Sequence, residues 1–220
     1  MARITIFSGH YGSGKTTLAV NEAILQKKSG YNVTLIDLDT VNPYFRTKDS
    51  ADILNELNIP LISSAYANTN VDVPAIPAAA NGAIEGQSNV VIDVGGDSAG
   101  AIVLGRYAGY LMLGGYDMLL VANKYRPLSR NINDALTIIS EIEESSRLKF
   151  TGICSNPNLG HETTAGDVIS GLDYAEELSK ASGLLIKSVT CERKLFKELS
   201  KQVENITPVD IYDKKEWRIY

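Results

Sequence analysis

The chain has 220 residues of which 44% are hydrophobic, enough to bury one sizeable core, and its length fits a single α/β domain over residues 1–220. With 21 Lys and Arg against 26 Asp and Glu, the net charge of −5 argues against a protein whose main task is to coat nucleic acid or an anionic membrane. The two cysteines, Cys154 and Cys191, lie far apart, which disfavours a disulfide framework or a zinc site and fits a reducing cytoplasm.

The first run, Ile4 to Ser8, reads as a strand. The residues from Met1 are too few for the apolar region of a signal peptide. A glycine loop follows, and the spacing then predicts a helix over Thr16 to Ser29 and a strand over Val33 to Asp37. The Ala-, Asn- and Pro-rich segment Asn68 to Gln87 has weak periodicity and reads as a loop with one short helix lying over the sheet edge. A strand at Val90 to Val94 leads to a helix at Ser98 to Leu113, a strand at Met118 to Ala122 and a helix at Leu128 to Ser146. Strand Phe150 to Cys154, helix Val168 to Ala181 and a last strand at Leu184 to Val189 complete the series.

This alternation predicts an α/β fold, a mostly parallel central sheet with helices on both faces. The apolar stretch Ala99 to Val121 is interrupted by Arg106 and Asp117 and falls short of the roughly 18 uninterrupted apolar residues a membrane span needs. It reads as buried core. The segment Asp210 to Tyr220, with Trp217, carries no legible role.

Gly9-His10-Tyr11-Gly12-Ser13-Gly14-Lys15-Thr16 satisfies G-x-x-x-x-G-K-[ST], directly after an expected strand and opening an expected helix. The glycines let successive N–H groups face inward, the helix N-terminus adds its positive dipole end, and Lys15 can reach β- and γ-phosphates. Thr16 offers a hydroxyl to Mg²⁺. Asp37 and Asp39 at the end of the second strand, and Asp93 before Val94-Gly95-Gly96, stand where carboxylates can hold magnesium-bound water. Each aspartate also has a plain alternative as a turn or cap residue. Gly95 and Gly96 would let the backbone approach a γ-phosphate.

These residues resemble the CobQ/CobB/MinD/ParA group of P-loop proteins, the deviant Walker A branch of the SIMIBI class. The match rests on the Gly9 to Thr17 loop, on Asp37-Leu38-Asp39 and on Asp93-Val94-Gly95-Gly96, about the first half of the chain. The resemblance implies ATP and Mg²⁺ as cofactors, with Gly9, His10, Tyr11, Gly12, Ser13, Gly14 and Lys15 around the phosphates and Thr17 at the α-phosphate. It also implies Thr16, Asp37 and Asp93 around the metal, Asp39 positioning the attacking water, and catalysis resting on Lys15 and Asp39. Asn156, in Ser155-Asn156-Pro157-Asn158, stands where the group reads the adenine edge, or is a turn residue before Pro157.

The sequence departs from the group at one place. Members that dimerise across ATP carry a lysine after the first loop glycine, and here that position is His10, whose imidazole ordinarily titrates near pH ~6.5. His161 reads as a loop residue beside a helix cap formed by Thr163 or Thr164, and Cys154 as a buried strand residue. Cys191 is expected to end the last strand, near a base pocket.

The leading expectation is an ATPase acting as a nucleotide-driven switch or assembly factor, with a protein client and a nucleotide-dependent homodimer as partners. Its moving parts would be Asp39 to Lys48 and Gly95 to Gly100. The alternative resembles dethiobiotin synthetase, with an acceptor pocket lined by Asn42 to Arg46 and Asn68 to Asn70. A DNA-segregation ATPase is disfavoured by the acidic balance. Asn123-Lys124-Tyr125-Arg126 begins like the guanine-reading N-K-x-D signature but has Arg126 in place of the aspartate, which favours ATP over GTP.

Overall fold

The structure, a computed structural model, describes residues 2–39, 50–63, 78–96 and 98–212. Strands β1 (Ile4–Ser8), β2 (Val33–Leu38), β3 (Leu61–Ser63), β4 (Asn89–Val94), β5 (Asp117–Ala122), β6 (Gly152–Ser155), β7 (Ile186–Glu192) and β8 (Ile206–Val209) form one sheet. Their order is β3-β2-β4-β1-β5-β6-β7-β8, and every pairing is parallel. Parallel pairing needs crossovers, supplied by helices α1 (Lys15–Lys28), α2 (Ala51–Glu56), α3 (Ala78–Glu85), α4 (Ser98–Gly105), α5 (Ala108–Gly114), α6 (Ile132–Ser146), α7 (Ala165–Ser182) and α8 (Arg193–Leu199). The expected α/β parallel architecture is what the chain adopts.

The central strands are apolar almost throughout because both faces of the sheet are covered. Along β1, β2 and β4 the side chains alternate between two cores. Ile4, Ile6, Ile36, Leu38, Val90, Ile92 and Val94 join a cluster with α4, α6 and α7. Phe7, Val33, Leu35 and Val91 join Leu18, Ala19, Ala23 and Ile24 of α1 on the opposite face. By this period of two, Asp37 and Asp93 fall on the α1 face.

Helix ends follow local chemistry. Thr164 and Asp167 form a reciprocal capping box at the start of α7, so of the two expected caps it is Thr164 that acts, and Gly183 ends the helix in the left-handed region. Asn131 caps α6 by accepting from Asp134 N.

Four features depart from expectation. The helix foreseen over Ser98 to Leu113 is two helices, because the Gly105 carbonyl accepts a hydrogen bond from Arg147 Nη2 and the chain tightens into turns at Arg106 and Tyr107. Two short strands, β3 and β8, and two short helices, α2 and α8, carry too few residues for a periodic signal. The strand holding Cys191 is followed by β8 and is therefore not the last. The foreseen helix α3 lies beneath the middle of the sheet: Ala80 and Ile84 are fully buried in the larger core, and Arg3, just before β1, donates to Ile84 O and Ser88 O. Among the described residues, no helix is long and apolar enough to cross a membrane.

Candidate functional site

The strand order places β1 between β4 and β5; β1 crosses over to β2 on one side while its neighbour β5 crosses over to β6 on the other, so the connections part at the end of β1. In open parallel sheets the crevice at such a switch point is where ligands bind. Gly9 to Thr16 occupies it, joining β1 directly to α1.

The loop is tightly curled. Ser13 N donates to His10 O, and the Lys15 ammonium turns back to donate to the same carbonyl at 3.1 Å. Gly14 sits at φ 96, a left-handed value that glycine adopts without steric cost. A side chain there would also collide with Asn156, whose Nδ2 lies 2.2 Å from the position a Cβ would take. His10 Nδ1 pairs with Tyr11 O at 3.1 Å, the Tyr11 side chain is exposed, and Thr17 O accepts from Asn21 Nδ2.

Two strand ends close on this loop. Asp37 and Asp93 are in register on the neighbouring strands β2 and β4. Thr16 donates its hydroxyl to Asp93 Oδ2 at 2.6 Å, and Asp39 N donates to Asp37 Oδ1 at 2.9 Å. Burial, and next the Asp37 carboxylate, push Asp93 up to about 8 against the pull of Lys15 and the Thr16 hydroxyl. Its second oxygen, Oδ1, is buried and has no hydrogen-bond partner.

Two adjacent carboxylates, an orphaned buried oxygen and a threonine hydroxyl form a donor set of hard oxygens that fits Mg²⁺, which takes one or two carboxylates and completes its shell with water and phosphate. Among the described residues, no three His, Cys, Asp or Glu side chains form a metal cage on their own. The segment after β4 packs on the phosphate loop itself: a Cβ at Gly96 would lie 2.6 Å from Tyr11 N, and one at Gly95 3.2 Å from Asp39 Oδ1.

Asn156, buried at the end of β6, ties the site together. Its Nδ2 donates to Ser13 O at 2.7 Å, and its Oδ1 accepts from the Thr190 hydroxyl at 2.6 Å. The side chain foreseen as a base reader thus buttresses the loop, and Thr190, which the sequence did not single out, holds it in place. Asn123 is similarly engaged, donating to Asn158 O and accepting from Tyr125 N, while Lys124 Nζ bonds Ser170 Oγ. His161 is an exposed loop residue. Asn42 to Arg46, Asn68 to Asn70 and Trp217 lie outside the described residues, as does Thr40 to Lys48 of the foreseen switch.

A cavity of about 580 Å³ opens elsewhere, between α1 and strands β1 and β5 to β8, with Phe7, Leu18, Glu22, Leu119, Cys154 and Thr190 in its wall. None of the residues of Gly9 to Thr17 lines it.

A phosphate loop at the switch point of a parallel sheet, met by a carboxylate-bearing strand end, defines a P-loop nucleotide-binding protein of the SIMIBI class. The sequence profile of the CobQ/CobB/MinD/ParA nucleotide binding domain matches residues 4–205, and the chain belongs to that family. Among solved structures it is similar to the signal recognition particle receptor FtsY from Elizabethkingia anophelis in complex with GDP, at 18% identity and a TM-score of 0.52, covering 86% of this chain and 57% of that one. It is also similar to FtsY from Mycoplasma mycoides, at 18% identity and a TM-score of 0.55, covering 86% and 60%. A nucleotide-binding protein from Archaeoglobus fulgidus in complex with ADP shares 17% identity over 89% of this chain and 85% of its own, with a TM-score of 0.49. The chain thus spans less than two thirds of the length of either FtsY, and at these identities the likeness is one of fold. Comparison with curated protein sequences finds none that matches.

Proposed function

We infer that this chain is a Mg²⁺-dependent ATPase that works as a nucleotide-driven switch or assembly factor on a protein client. The observation that carries the reading is the contact of Gly96 with the Tyr11 amide, beside the 2.6 Å bond from Thr16 to Asp93. The segment after β4 rests on the loop that would hold the phosphates, so gain or loss of a γ-phosphate would move it. Lys15 would leave His10 O for the β- and γ-phosphates. Thr16, Asp93 and Asp37 would share the metal and its waters, and Asp39, against Gly95, would orient the attacking water. When bound, Mg²⁺ supplies neutralising charge to the phosphates. Around it, this chain's residues orient the nucleotide and exclude stray water.

ATP is favoured over GTP because the Asn123 amide is engaged on both sides, donating to Asn158 O and accepting from Tyr125 N, and Arg126 stands where a guanine-reading carboxylate would be. Residues 1–220 acting as one domain, in the cytoplasm, complete the reading. Lys15→Ala should abolish phosphate-dependent binding, and Asp39→Ala should slow turnover more than it weakens binding. An Asp39→Ala variant that hydrolyses ATP at the normal rate removes Asp39 from the mechanism. Light scattering with Mg²⁺ and either ADP or a nonhydrolysable ATP analogue tests the switch: a dimer that forms only with the analogue supports it, and an unchanged mass removes nucleotide-driven dimerisation.

A further inference from the structure

The loop after β5 delivers a cation to the phosphate cradle. Its backbone is fixed from several sides. Arg126 N donates to Asn123 O, Ser129 N donates to Arg126 O, and the Ser129 hydroxyl donates to Asn123 O. Tyr125 Oη bonds Asp167, and Lys124 reaches away to Ser170. Arg126 itself is extended, at φ −96 and ψ 128, as a residue preceding proline must be, with Pro127 next. The neighbouring side chains of the loop therefore face α7.

Arg126 faces the other way, across the phosphate loop. Its Nε, Cδ and Cζ lie 3.4, 3.6 and 3.7 Å from where a Cβ on Gly12 would stand, so the guanidinium end of the side chain passes within van der Waals reach of the loop at Gly12. The Nε–H is shut off from solvent and has no hydrogen-bond partner. The ion pairs found among the described residues are Lys149–Glu143, Arg193–Asp210 and Lys194–Glu192, and none includes Arg126.

A guanidinium keeps its charge at any physiological pH and presents its donors in a planar fork suited to phosphate oxygens. A shielded donor of this kind, beside a loop whose amides are arranged for an anion, lacks an acceptor that the protein does not supply. The loop from Gly9 to Thr16 contains one permanently charged side chain, Lys15, against the several negative charges of a nucleotide's phosphate chain. We propose that Arg126 is a phosphate-contacting residue acting in cis, its guanidinium crossing Gly12 to pair with phosphate oxygens of a bound nucleoside triphosphate. The charge comes from the same chain, so it acts on the nucleotide without a second protomer.

This inference rests on the nucleotide-binding reading above, and the test separates the two. The full chain, Arg126→Ala and Arg126→Lys are titrated calorimetrically with ADP and with a nonhydrolysable ATP analogue in Mg²⁺. Melting temperatures are recorded with and without each ligand. The expected result is that Arg126→Ala weakens the analogue at least tenfold and shrinks the ligand-induced rise in melting temperature while the ligand-free melt is unchanged. Arg126→Lys recovers part of the affinity, because it restores the charge and loses the fork. Wild-type affinity in Arg126→Ala, or a variant whose only change is a lower ligand-free melt, overturns the proposal and leaves nucleotide binding intact. A wild-type chain that binds neither nucleotide overturns both.

Discussion

Asp93 on β4 stands in register with Asp37 on β2, and the Thr16 hydroxyl bridges from the start of α1 to Asp93 at 2.6 Å. Two carboxylates held this close repel each other, and a divalent cation between them and the phosphates would relieve the repulsion. Asp93→Asn keeps an acceptor for Thr16 and resembles the carboxyl that burial holds largely protonated without metal, but it cannot supply negative charge to a bound cation. It is expected to leave the metal-free fold at least as stable as wild type and to cut the gain in nucleotide affinity from added Mg²⁺ by tenfold or more. Titrations with Mg²⁺ and with EDTA measure this, and a full Mg²⁺ effect in the variant takes Asp93 out of the metal site.

Asn156 holds two buried partners at once, Ser13 O and the Thr190 hydroxyl. Asn156→Ala leaves both without it and is expected to cost about 2 kcal/mol of stability, read from denaturant unfolding. Because the amide is engaged with the loop, the variant should weaken ATP and GTP by the same factor. A loss confined to ATP would instead place the amide on the adenine edge.

Gly96 is the point at which the segment after β4 touches the phosphate loop, 2.6 Å from the Tyr11 amide for any added Cβ. Contacts of that length are not tolerated, and the atoms the Cβ would meet are backbone and cannot swing aside as a flexible side chain would. Gly96→Ala should therefore fold but push the two segments apart, lowering affinity for a triphosphate analogue by at least tenfold. Equal affinities in variant and wild type would show that this contact does not matter to the nucleotide.

Burial pushes the Cys154 thiol up to about 12 and the Cys191 thiol up to about 11. Thiolate is the reactive form, so both side chains should resist a disulfide reagent at pH 8 in the native protein and react promptly once it is unfolded. Rapid native labelling of either position would mean that its strand opens readily.

Arg193 donates two hydrogen bonds to Asp210 just beyond β8, and this holds the Asp210 carboxyl below its usual range. A depressed carboxyl stabilises the fold above its unfolded value of ~3.9 and loses that contribution as pH falls through the native value. With the two side chains 60% and 30% exposed, Asp210→Asn should cost about 0.5 kcal/mol at pH 7 and progressively less as pH falls through the native carboxyl value. Thermal melts at neutral and at acid pH check the sign.

Local patterns were enough to read the phosphate loop, the alternation of strand and helix, the strand-end aspartates and a helix cap at Thr163 or Thr164, because each depends on residues a few positions apart. What lay beyond reach depends on register between distant segments. The pairing that sets Asp37 beside Asp93 and the break of a helix at Gly105 by Arg147 come from neighbours far along the chain. The same holds for the seat of Asn156 on Ser13, 143 positions away, and for the passage of Arg126 over Gly12. A motif specifies which groups can bind phosphate, since backbone conformation and residue chemistry are local. Tertiary packing decides which distant side chains meet that loop, since only the folded sheet brings the ends of β4, β5 and β6 to the end of β1.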